Sequence, residues 1–334
     1  MILLASHHEN IAFGVNTLLN LVEKKQLVKV AKLYYDENLT QAEIAKLIGV
    51  SRPSISRMLS DAKDKGLVKI FIEDDSMDSG EVENALLERF HLEAVKVVGV
   101  PHGDENLILQ ATARESALFA ARFISPGDCV GMAWGQTLHE LAKSFPSLSL
   151  PDIRVVQLMG NIDSAIVRSY AMEIVNTISA RLGTKNASTL PCPIVVDNVI
   201  ISDTLKHDAK IRNTLDLIKN CNRVFVNLAL PNEHSCLYQA GYLNEADIRF
   251  LHQTESVGNI CCRFIDREGF MVYPQLDTRT IGISLEDLKN VETVLACVAD
   301  YRKANILHAA LLGGYINVLM VDSITANLIL SMDN

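Results

Sequence analysis

Short, nearly continuous apolar runs alternate with helical patterns along most of this chain of 334 residues. The runs VLACV and INVLMV are typical of strands that are buried on both faces of a sheet. Since strands and helices take turns along the chain, we expect a mostly parallel sheet with helices packed on both sides. The predicted strands span residues 94–98, 129–133, 153–159, 223–230, 291–298 and 316–321, and the predicted helices span residues 81–90, 105–123, 136–144, 166–182, 208–219, 301–312 and 323–330.

Ahead of this alternation, the segment TQAEIAKLIGVSRPSISRML predicts a helix-turn-helix. Its first residue, Thr40, forms a T-x-x-E capping box with Glu43, which starts a helix. Gly49 lies where the chain must turn sharply, and glycine supplies the positive φ that such a turn needs. Ser51 can cap the second helix, and Pro53 falls in its first turn, where a missing N–H costs little.

The second of these helices has a polar, basic face. Ile55, Leu59 and Ala62 repeat at helical spacing and are expected to face inward, which leaves two arginines and several hydroxyls outside. Such a face suits the major groove of DNA. The predicted DNA-contacting residues are Thr40, Gln41, Ser51, Arg52, Ser54, Ser56, Arg57 and Lys63. The alternative is a helical hairpin that belongs to a larger core.

Flanking segments complete the predicted DNA-binding unit. Leu27, Ala31 and Tyr34 line one face of an earlier helix, and the stretch LVKIFI after Gly66 alternates enough to form a strand, as in a winged arrangement. Basic residues outnumber acidic ones between residues 20 and 70, whereas the whole chain has a net charge of −9. A mildly basic N-terminal segment on an otherwise acidic chain fits a protein that contacts DNA phosphates with that segment alone. Because one such segment should bind DNA weakly, we expect two or more of them per assembly.

Composition excludes several classes of protein. No apolar stretch is long enough to span a bilayer, and the N-terminal segment lacks the basic n-region of a signal peptide. Seven cysteines without a C-x-x-C pair favour thiols in a reducing cytoplasm over disulfides or zinc. The adjacent Cys261 and Cys262 are either redox-active or, as we expect, neighbours on opposite faces of a strand. No catalytic, metal or cofactor signature stands out, so no cofactor is expected.

Ligands of parallel sheets bind beyond the carboxyl ends of the strands. There, the pattern G-x-x-W-G-Q-T, which begins at Gly131, leads from a strand into a helix, so backbone N–H groups can approach an anion. A simple glycine-mediated turn is an equal alternative. Gly160 and Asn161 follow the next strand. Asp266 can accept hydrogen bonds from sugar hydroxyls and Lys303 can hold a phosphate or a hydroxyl, although a solvated surface charge is the simpler interpretation of each.

Five sequence blocks, in order, resemble the SorC family of bacterial transcriptional regulators. They are LTQAEIAKLIGVSRPSISRML, CVGMAWGQTLHEL, LPCPIVVDN, VGNICCRFIDREG and TIGISLEDLKNVETVLACVADYRKANILHAALLGGYINVLMVDSITANLIL, within a resemblance from about Leu27 to Leu330. The resemblance implies a body like that of ribose-phosphate isomerase and glucosamine-phosphate deaminase, which has lost catalysis and binds a sugar or sugar phosphate as an inducer. It also implies tetramers, or dimers of dimers, on operator DNA.

By position within these blocks, the resemblance also implies an effector site of two phosphate loops and two charged contacts. The residues are Gly135, Gln136 and Thr137, then Gly160 and Asn161, and finally Asp266 and Lys303. The chain departs from the family where Gln136 replaces a frequent arginine, where Asn161 replaces a frequent glycine near Asp163, and where Ala299-Asp300 replaces a Gly-Gly pair. Lost positive charge and added carboxylates disfavour an anionic ligand, so an unphosphorylated sugar or polyol stays open beside a sugar phosphate.

The patterns predict an α/β protein with an N-terminal winged helix-turn-helix domain at residues 20–73, a linker at 74–80 and an α/β domain at 81–334. The resemblance implies that this last domain is of the sugar-phosphate isomerase type and serves effector binding and oligomerisation. We expect a cytoplasmic, DNA-binding regulator of a carbohydrate-utilisation operon, controlled by a sugar, polyol or sugar phosphate, and not an enzyme. Its expected partners are double-stranded operator DNA, the carbohydrate and further copies of the chain, as a tetramer, with no membrane. The alternative is a sugar-phosphate isomerase or deaminase with a DNA-binding head, and a third option is an architectural DNA-binding protein without a ligand.

Overall fold

A computed structural model of the chain describes residues 24–332, apart from 36, 38, 65–66, 69–78, 101–102, 163 and 165. The chain forms two compact units, one up to residue 74 and one from residue 75. Each unit has its own hydrophobic core. The predicted domain limits stay predictions. None of the described helices combines the length and the apolar character needed to cross a membrane.

The described residues of the first unit form three helices. Residues 24–35 are helical (α1), and they are followed by α2 (Gln41–Ile48) and α3 (Arg52–Asp64). Leu27 and Ala31 of α1 are buried and Tyr34 is half-buried, which confirms the predicted inner face of this helix. The core that the three helices share contains Val30, Leu33, Ile44, Ala45, Ile55 and Leu59.

Both ends of α2 have the predicted local chemistry. The Thr40 N–H donates to Glu43 Oε2 at 2.8 Å, and the Glu43 N–H donates to Thr40 Oγ1 at 3.3 Å, which completes the capping box. Gly49 follows α2 with φ at +80°, a left-handed conformation that only glycine adopts at no steric cost. The capping box and the glycine turn are confirmed.

Leu67 and Val68, the two described residues of the predicted wing strand, do not form a strand. Leu67 and Val68 lie in a bend and an irregular stretch, where both of their N–H groups donate to the Ala62 carbonyl at 2.8 and 3.1 Å. These bonds close the end of α3, so neither N–H group is available for a strand ladder. The rest of the predicted strand, residues 69–72, lies outside the described residues.

The second unit contains a seven-stranded sheet in which every pairing is parallel, with the order β1-β10-β9-β5-β2-β3-β4. Its strands are β1 (Ala94–Val98), β2 (Cys129–Met132), β3 (Arg154–Gln157), β4 (Ala187–Ser188), β5 (Arg223–Val226), β9 (Thr293–Val298) and β10 (Val318–Asp322). A smaller antiparallel sheet contains β6 (Leu228–Ala229), β7 (Gly258–Ile260) and β8 (Arg263–Ile265). The predicted parallel α/β sheet is confirmed.

Helices connect the strands of the large sheet, and strands β9 and β10 are buried along their whole length. The helices are α4 (Ser79–Phe90), α5 (Glu105–Ala120), α6 (Gln136–Ser144), α7 (Ala171–Leu182), α8 (Val199–His207), α9 (Ala209–Lys219), α10 (Cys236–Gln239), α11 (Glu245–Gln253), α12 (Pro274–Asp277), α13 (Leu285–Asn290), α14 (Ala304–Leu312) and α15 (Ser323–Leu330), with 3₁₀ turns at Ala121–Phe123 and Tyr301–Lys303.

Several predicted elements differ in their bounds from the observed ones, most of them by one or two residues at an end. The helix predicted at 166–182 begins only at Ala171, because Tyr170 has a left-handed φ of +60° that a helix cannot include. The strand predicted at 223–230 divides into β5 and β6, which belong to different sheets. Ser79 and Gly80, assigned to the linker, already belong to α4.

Cys261 and Cys262 lie in the two-residue turn between β7 and β8, and not on opposite faces of a strand as expected. Their φ angles are +49° and +65°, as in the turns that connect tight hairpins. The predicted strand is therefore wrong at these two residues. The sequence gives no sign of the turn, because it has neither the glycine nor the asparagine that usually marks one. Both thiols are free and buried.

Candidate functional site

In the first unit, α3 presents the face predicted to read DNA. Arg52, Ser56 and Arg57 are exposed, whereas Ile55 and Leu59 on the opposite face are buried. Thr40, Ser51, Ser60 and Lys63 are also exposed, and Gln41 and Ser54 are half-buried. The exposed arginines are therefore available for a base edge or a phosphate.

Two of the predicted DNA contacts also stabilise the start of α3. Ser51 Oγ accepts a hydrogen bond from the Ser54 N–H at 3.3 Å, and the two hydroxyl oxygens lie 2.8 Å apart. This is the predicted N-cap. Because Ser51 and Ser54 already form hydrogen bonds with each other, the exposed hydroxyl group of Ser56 is more readily available for a contact with DNA.

In the second unit, a cavity of about 450 Å³ lies at the carboxyl ends of three neighbouring strands, β2, β5 and β9. Its wall includes Trp134 after β2, Asn227 after β5 and Ala299 after β9. The other lining residues are Glu105, Asn106, Leu109, Gly135, Gln136, Thr137, Leu228, Ala229, Leu230, Asn232, His234, Ser235, Cys236, Leu237, Asn259, Cys262, Asp300, Arg302 and Lys303. Parallel sheets commonly bind ligands at this edge.

The N-terminus of α6 contributes backbone donors to this cavity. Gly135, at φ +140°, is its N-cap and provides no side-chain hydrogen bond to the helix. The first backbone bond of the helix runs from the His139 N–H to the Gly135 carbonyl at 2.9 Å. The N–H groups of Gln136 and Thr137 precede that bond, so they have no acceptor within the helix and can serve a ligand oxygen.

Within the part of the chain that the structure describes, Lys303 is the cation of the cavity whose side chain has no hydrogen-bond or ion-pair partner. The side chain is half-buried, and no described residue lies within hydrogen-bond or ion-pair distance of its ammonium group. Burial lowers the pKa of Lys303 below its ordinary value, and the Asp300 carboxylate partly offsets that effect. An unpartnered, partly desolvated ammonium group is a strong hydrogen-bond donor for a ligand.

Asn227 also lines the cavity and adds a hydrogen-bond acceptor to the donors of Lys303 and α6. It was not among the residues predicted from the sequence. Its Oδ1 atom is buried and has no hydrogen-bond partner among the described residues, which is costly unless a ligand or water donates to it. Its Nδ2 atom lies 3.7 Å from the position that a Cβ at Gly135 would occupy. Asn227 directly follows β5, so the rule applied to the other strand ends would have identified it, had the end of this strand been placed correctly.

The remaining cation of the cavity, Arg302, forms hydrogen bonds through Nε and Nη2. Its Nε and Nη2 atoms donate to Asp300 at 2.8 and 3.1 Å, and Nη2 also donates to Glu105 at 2.9 Å. The Asp300 carboxylate raises the pKa of Arg302 further above its ordinary range. Glu105 lies at the start of α5, so the arginine joins two elements of the cavity wall.

Gly135, Gln136, Thr137 and Lys303 thus come together, whereas the other predicted effector contacts do not line this cavity. Asn161 Nδ2 donates to the Leu190 carbonyl at 3.0 Å, and Gly160 accepts from Trp134 behind the cavity wall. Asp266 Oδ1 accepts from the N–H groups of Glu268 and Phe270 at 3.0 and 2.9 Å, which shapes a turn. Effector contacts by Gly160, Asn161 and Asp266 stay predictions.

Two cysteines also line the cavity. Burial raises the pKa of Cys236 and of Cys262, so at neutral pH both are protonated thiols and weak nucleophiles. Among the residues that the structure describes, no group of three or more histidine, cysteine or acidic side chains is arranged to hold a metal ion.

Comparison with known families and structures gives matches over nearly the whole chain. The family model described as "Putative sugar-binding domain" matches residues 74–331, and the Crp-like helix-turn-helix domain model matches residues 15–74. The deoxyribonucleoside regulator of Bacillus subtilis is 32% identical over 91% of this chain and 97% of its own length. The sorbitol operon regulator of Klebsiella pneumoniae is 25% identical, with the same coverage.

Solved structures agree with these matches. The full-length sorbitol operon regulator SorC from Klebsiella pneumoniae superposes with a TM-score of 0.69 at 26% identity, over 92% of this chain and 99% of that one. A DeoR family transcriptional regulator from Listeria monocytogenes gives a TM-score of 0.70 at 28% identity, over 75% of this chain and 99% of that one.

Proposed function

The chain belongs to the SorC family of bacterial transcriptional regulators, and on this basis we propose that it controls a carbohydrate-utilisation operon in response to a sugar, polyol or sugar phosphate bound in the cavity at the carboxyl ends of β2, β5 and β9. The helix-turn-helix contacts double-stranded operator DNA, and the cavity binds the effector. Because its target is bacterial DNA, the protein acts in the cytoplasm.

The observation that carries the effector proposal is a set of unused hydrogen-bonding groups in one cavity. The ammonium group of Lys303 and the N–H groups at the start of α6 are donors, and the buried Oδ1 of Asn227 is an acceptor. A carbohydrate hydroxyl can accept from the former and donate to the latter. Buried polar groups without partners are expensive, so a ligand that satisfies them gains affinity and specificity.

For the DNA contact, we propose that Arg52, Ser56 and Arg57 reach base edges and that Lys63 reaches a phosphate. The first unit is only mildly basic, so a single copy should bind weakly, and linking several copies raises the effective concentration. We therefore propose a homo-oligomer, a tetramer, in which the effector shifts the equilibrium between arrangements that fit the operator well or poorly.

A role as a regulator and not as an isomerase or deaminase is part of the proposal. Within the described lining of the cavity, the two carboxylates belong to Asp300 and Glu105, and both are paired with Arg302. A general acid or base must reach the reacting atoms of a substrate, whereas hydrogen bonds orient both of these carboxylates toward Arg302.

A thermal-shift screen of sugars, polyols and their phosphates tests the proposal, because a ligand that prefers the native state must stabilise it. A compound that raises the melting temperature should then change the affinity of the protein for operator DNA in a gel-shift assay. If no compound stabilises the protein, the effector role of the cavity is wrong. If a compound is converted to product, the protein is an enzyme.

A further inference from the structure

The two cations of the cavity are engaged unequally. Arg302 donates to both oxygens of Asp300 and to Glu105, whereas Lys303 has no partner among the described residues. The residue that produces this difference is Asp300, which directly follows β9 and Ala299 at the edge of the sheet.

Asp300 holds Arg302 in three ways. Its Oδ1 accepts from the Arg302 backbone N–H at 3.1 Å and from Nε at 2.8 Å, and its Oδ2 accepts from Nη2 at 3.1 Å. This fork-to-fork geometry uses Nε and Nη2, and the second N–H of Nη2 donates to Glu105, so Nη1 alone has no bond among the described residues and no pair of donors is left for a phosphate. The same carboxylate is close enough to Lys303 to stabilise its charged form.

A phosphate monoester on Lys303 would therefore meet the negative charge of Asp300, and Arg302 could offer it only Nη1 and no pair of donors. A phosphate carries about −1.5 to −2 charges at neutral pH and, as a dianion, has no proton to donate to the buried Oδ1 of Asn227. A hydroxyl group pays no such electrostatic cost. It can accept from the ammonium group and donate to the amide oxygen.

We propose that Asp300 sets the charge selectivity of the cavity, because it pairs with Arg302 and places a negative charge in the lining that it shares with Lys303, so that the effector is an unphosphorylated sugar or polyol. This inference rests on the proposed effector role of the cavity and narrows the ligand to one of its classes.

Titration of the full-length protein with inorganic phosphate, at fixed ionic strength and by calorimetry, tests the role of Asp300. In Asp300→Asn the charge is lost, but an oxygen remains that can accept the Arg302 backbone N–H, so the local turn is kept. We expect this variant to bind phosphate at least about ten-fold more tightly than the wild type, since a repelling charge is removed and the guanidinium group keeps only its exposed ion pair with Glu105. Equal or weaker phosphate binding by the variant would overturn the proposal.

Glu105→Gln is the matched control. It removes one charge from the same arginine, but its side chain is 63% exposed against 22% for Asp300. Exposed ion pairs are weak, so phosphate affinity should stay within about five-fold of the wild type. A gain as large as that of Asp300→Asn would mean that any carboxylate at the entrance acts alike, and it would overturn the specific role of Asp300. Asp300→Ser, which also removes the charge, replaces Asp300→Asn if the latter does not fold.

A second measurement uses the wild type alone and compares sugars and polyols with their phosphate esters by thermal shift. Stabilisation by the unphosphorylated member of each pair supports the proposal, and stronger stabilisation by the ester overturns it. If neither class stabilises the wild type, the effector role itself fails, and the phosphate titration of Asp300→Asn still decides what Asp300 does.

Discussion

The indole Nε1 of Trp134 donates a hydrogen bond to the carbonyl oxygen of Gly160, with 3.0 Å between the two atoms. Trp134 lines the cavity, whereas Gly160 lies behind it. A Cβ at Gly160 would lie 2.5 Å from the Pro193 carbonyl oxygen, so a side chain has no room there. The glycine after β3 is thus explained by close packing, and it supports the cavity through the tryptophan.

Replacing Trp134 with phenylalanine should reduce both stability and effector affinity. The Gly160 carbonyl is buried and would lose its donor, which costs about 1–3 kcal/mol of unfolding free energy. Urea unfolding followed by far-UV circular dichroism measures the change, since the variant has no tryptophan left for fluorescence. An unchanged midpoint would mean that the hydrogen bond contributes nothing.

The same residue makes wild-type binding directly observable. Trp134 is the one tryptophan of the chain, and its side chain is buried in the cavity wall. A ligand that fills the cavity should therefore change the intensity or the wavelength of intrinsic fluorescence in a saturable way. Trp134→Phe, titrated with the same ligand, should show no such change, and binding without a fluorescence signal in the wild type would place the ligand elsewhere.

Removing the charge of Lys303, as in Lys303→Met, should abolish most effector stabilisation. Lys143→Met is the control, because Lys143 is exposed and pairs only with Glu140 among the described residues. Thermal shift with the same ligand distinguishes the two variants. Equal responses in both would show that Lys303 does not contact the effector.

The lowered pKa of Lys303 also predicts a pH dependence of stability. Burial makes the folded chain release this proton at a lower pH than the unfolded chain, whose lysine titrates near 10.5. Between the two pKa values the unfolded state binds more protons, so the free energy of unfolding rises with pH in that window. The wild type should therefore gain stability relative to Lys303→Met as the pH approaches 10.5, as measured by urea unfolding. A constant difference would contradict the lowered pKa.

Elements with strong local signals could be predicted from the sequence. The strand at 94–98 and the helices at 136–144 and 323–330 have the bounds that the structure shows. In the helix at 136–144, Leu138, Leu141 and Ala142 repeat at helical spacing and are buried. The capping box of Thr40 and the turn at Gly49 followed from residue types alone.

Elements that depend on distant contacts could not be predicted. The strands of the small sheet have only two or three residues each, and their pairing brings Leu228 opposite Ile260, far apart in the chain. Tyr170 looks like an ordinary helical residue, but its left-handed φ delays α7. Asn227 was missed as a cavity residue because β5 and β6 form one apolar run in the sequence.

Gly131→Ala should destabilise the protein. Gly131 lies in β2, and an added Cβ would lie 2.4 Å from Leu158 Cδ2 and 2.9 Å from Val224 Cγ1. Overpacking of this kind costs about 1–3 kcal/mol of unfolding free energy. Gly99→Ala is the control, since nothing lies within 4 Å of the Cβ it would gain. Similar urea midpoints for Gly131→Ala and Gly99→Ala would mean that the side chains of Leu158 and Val224 can move aside at little cost in stability.

Arg52→Ala and Arg57→Ala should each weaken operator binding without affecting the cavity. Both side chains are exposed on α3, opposite the buried Ile55, so their removal leaves the core intact. A good arginine contact with a base is worth about 1–3 kcal/mol, and a phosphate contact would show instead as a weaker salt dependence. Gel shifts at two salt concentrations, on a duplex selected from random DNA by the wild type, separate these cases.

Arg114→Ala, which removes an exposed arginine of α5, is the control and should bind the duplex as the wild type does. If Arg52→Ala and Arg57→Ala also bind the duplex as the wild type does, α3 is not the recognition helix. If either variant binds the effector differently from the wild type, the arginine also affects the cavity and not DNA binding alone.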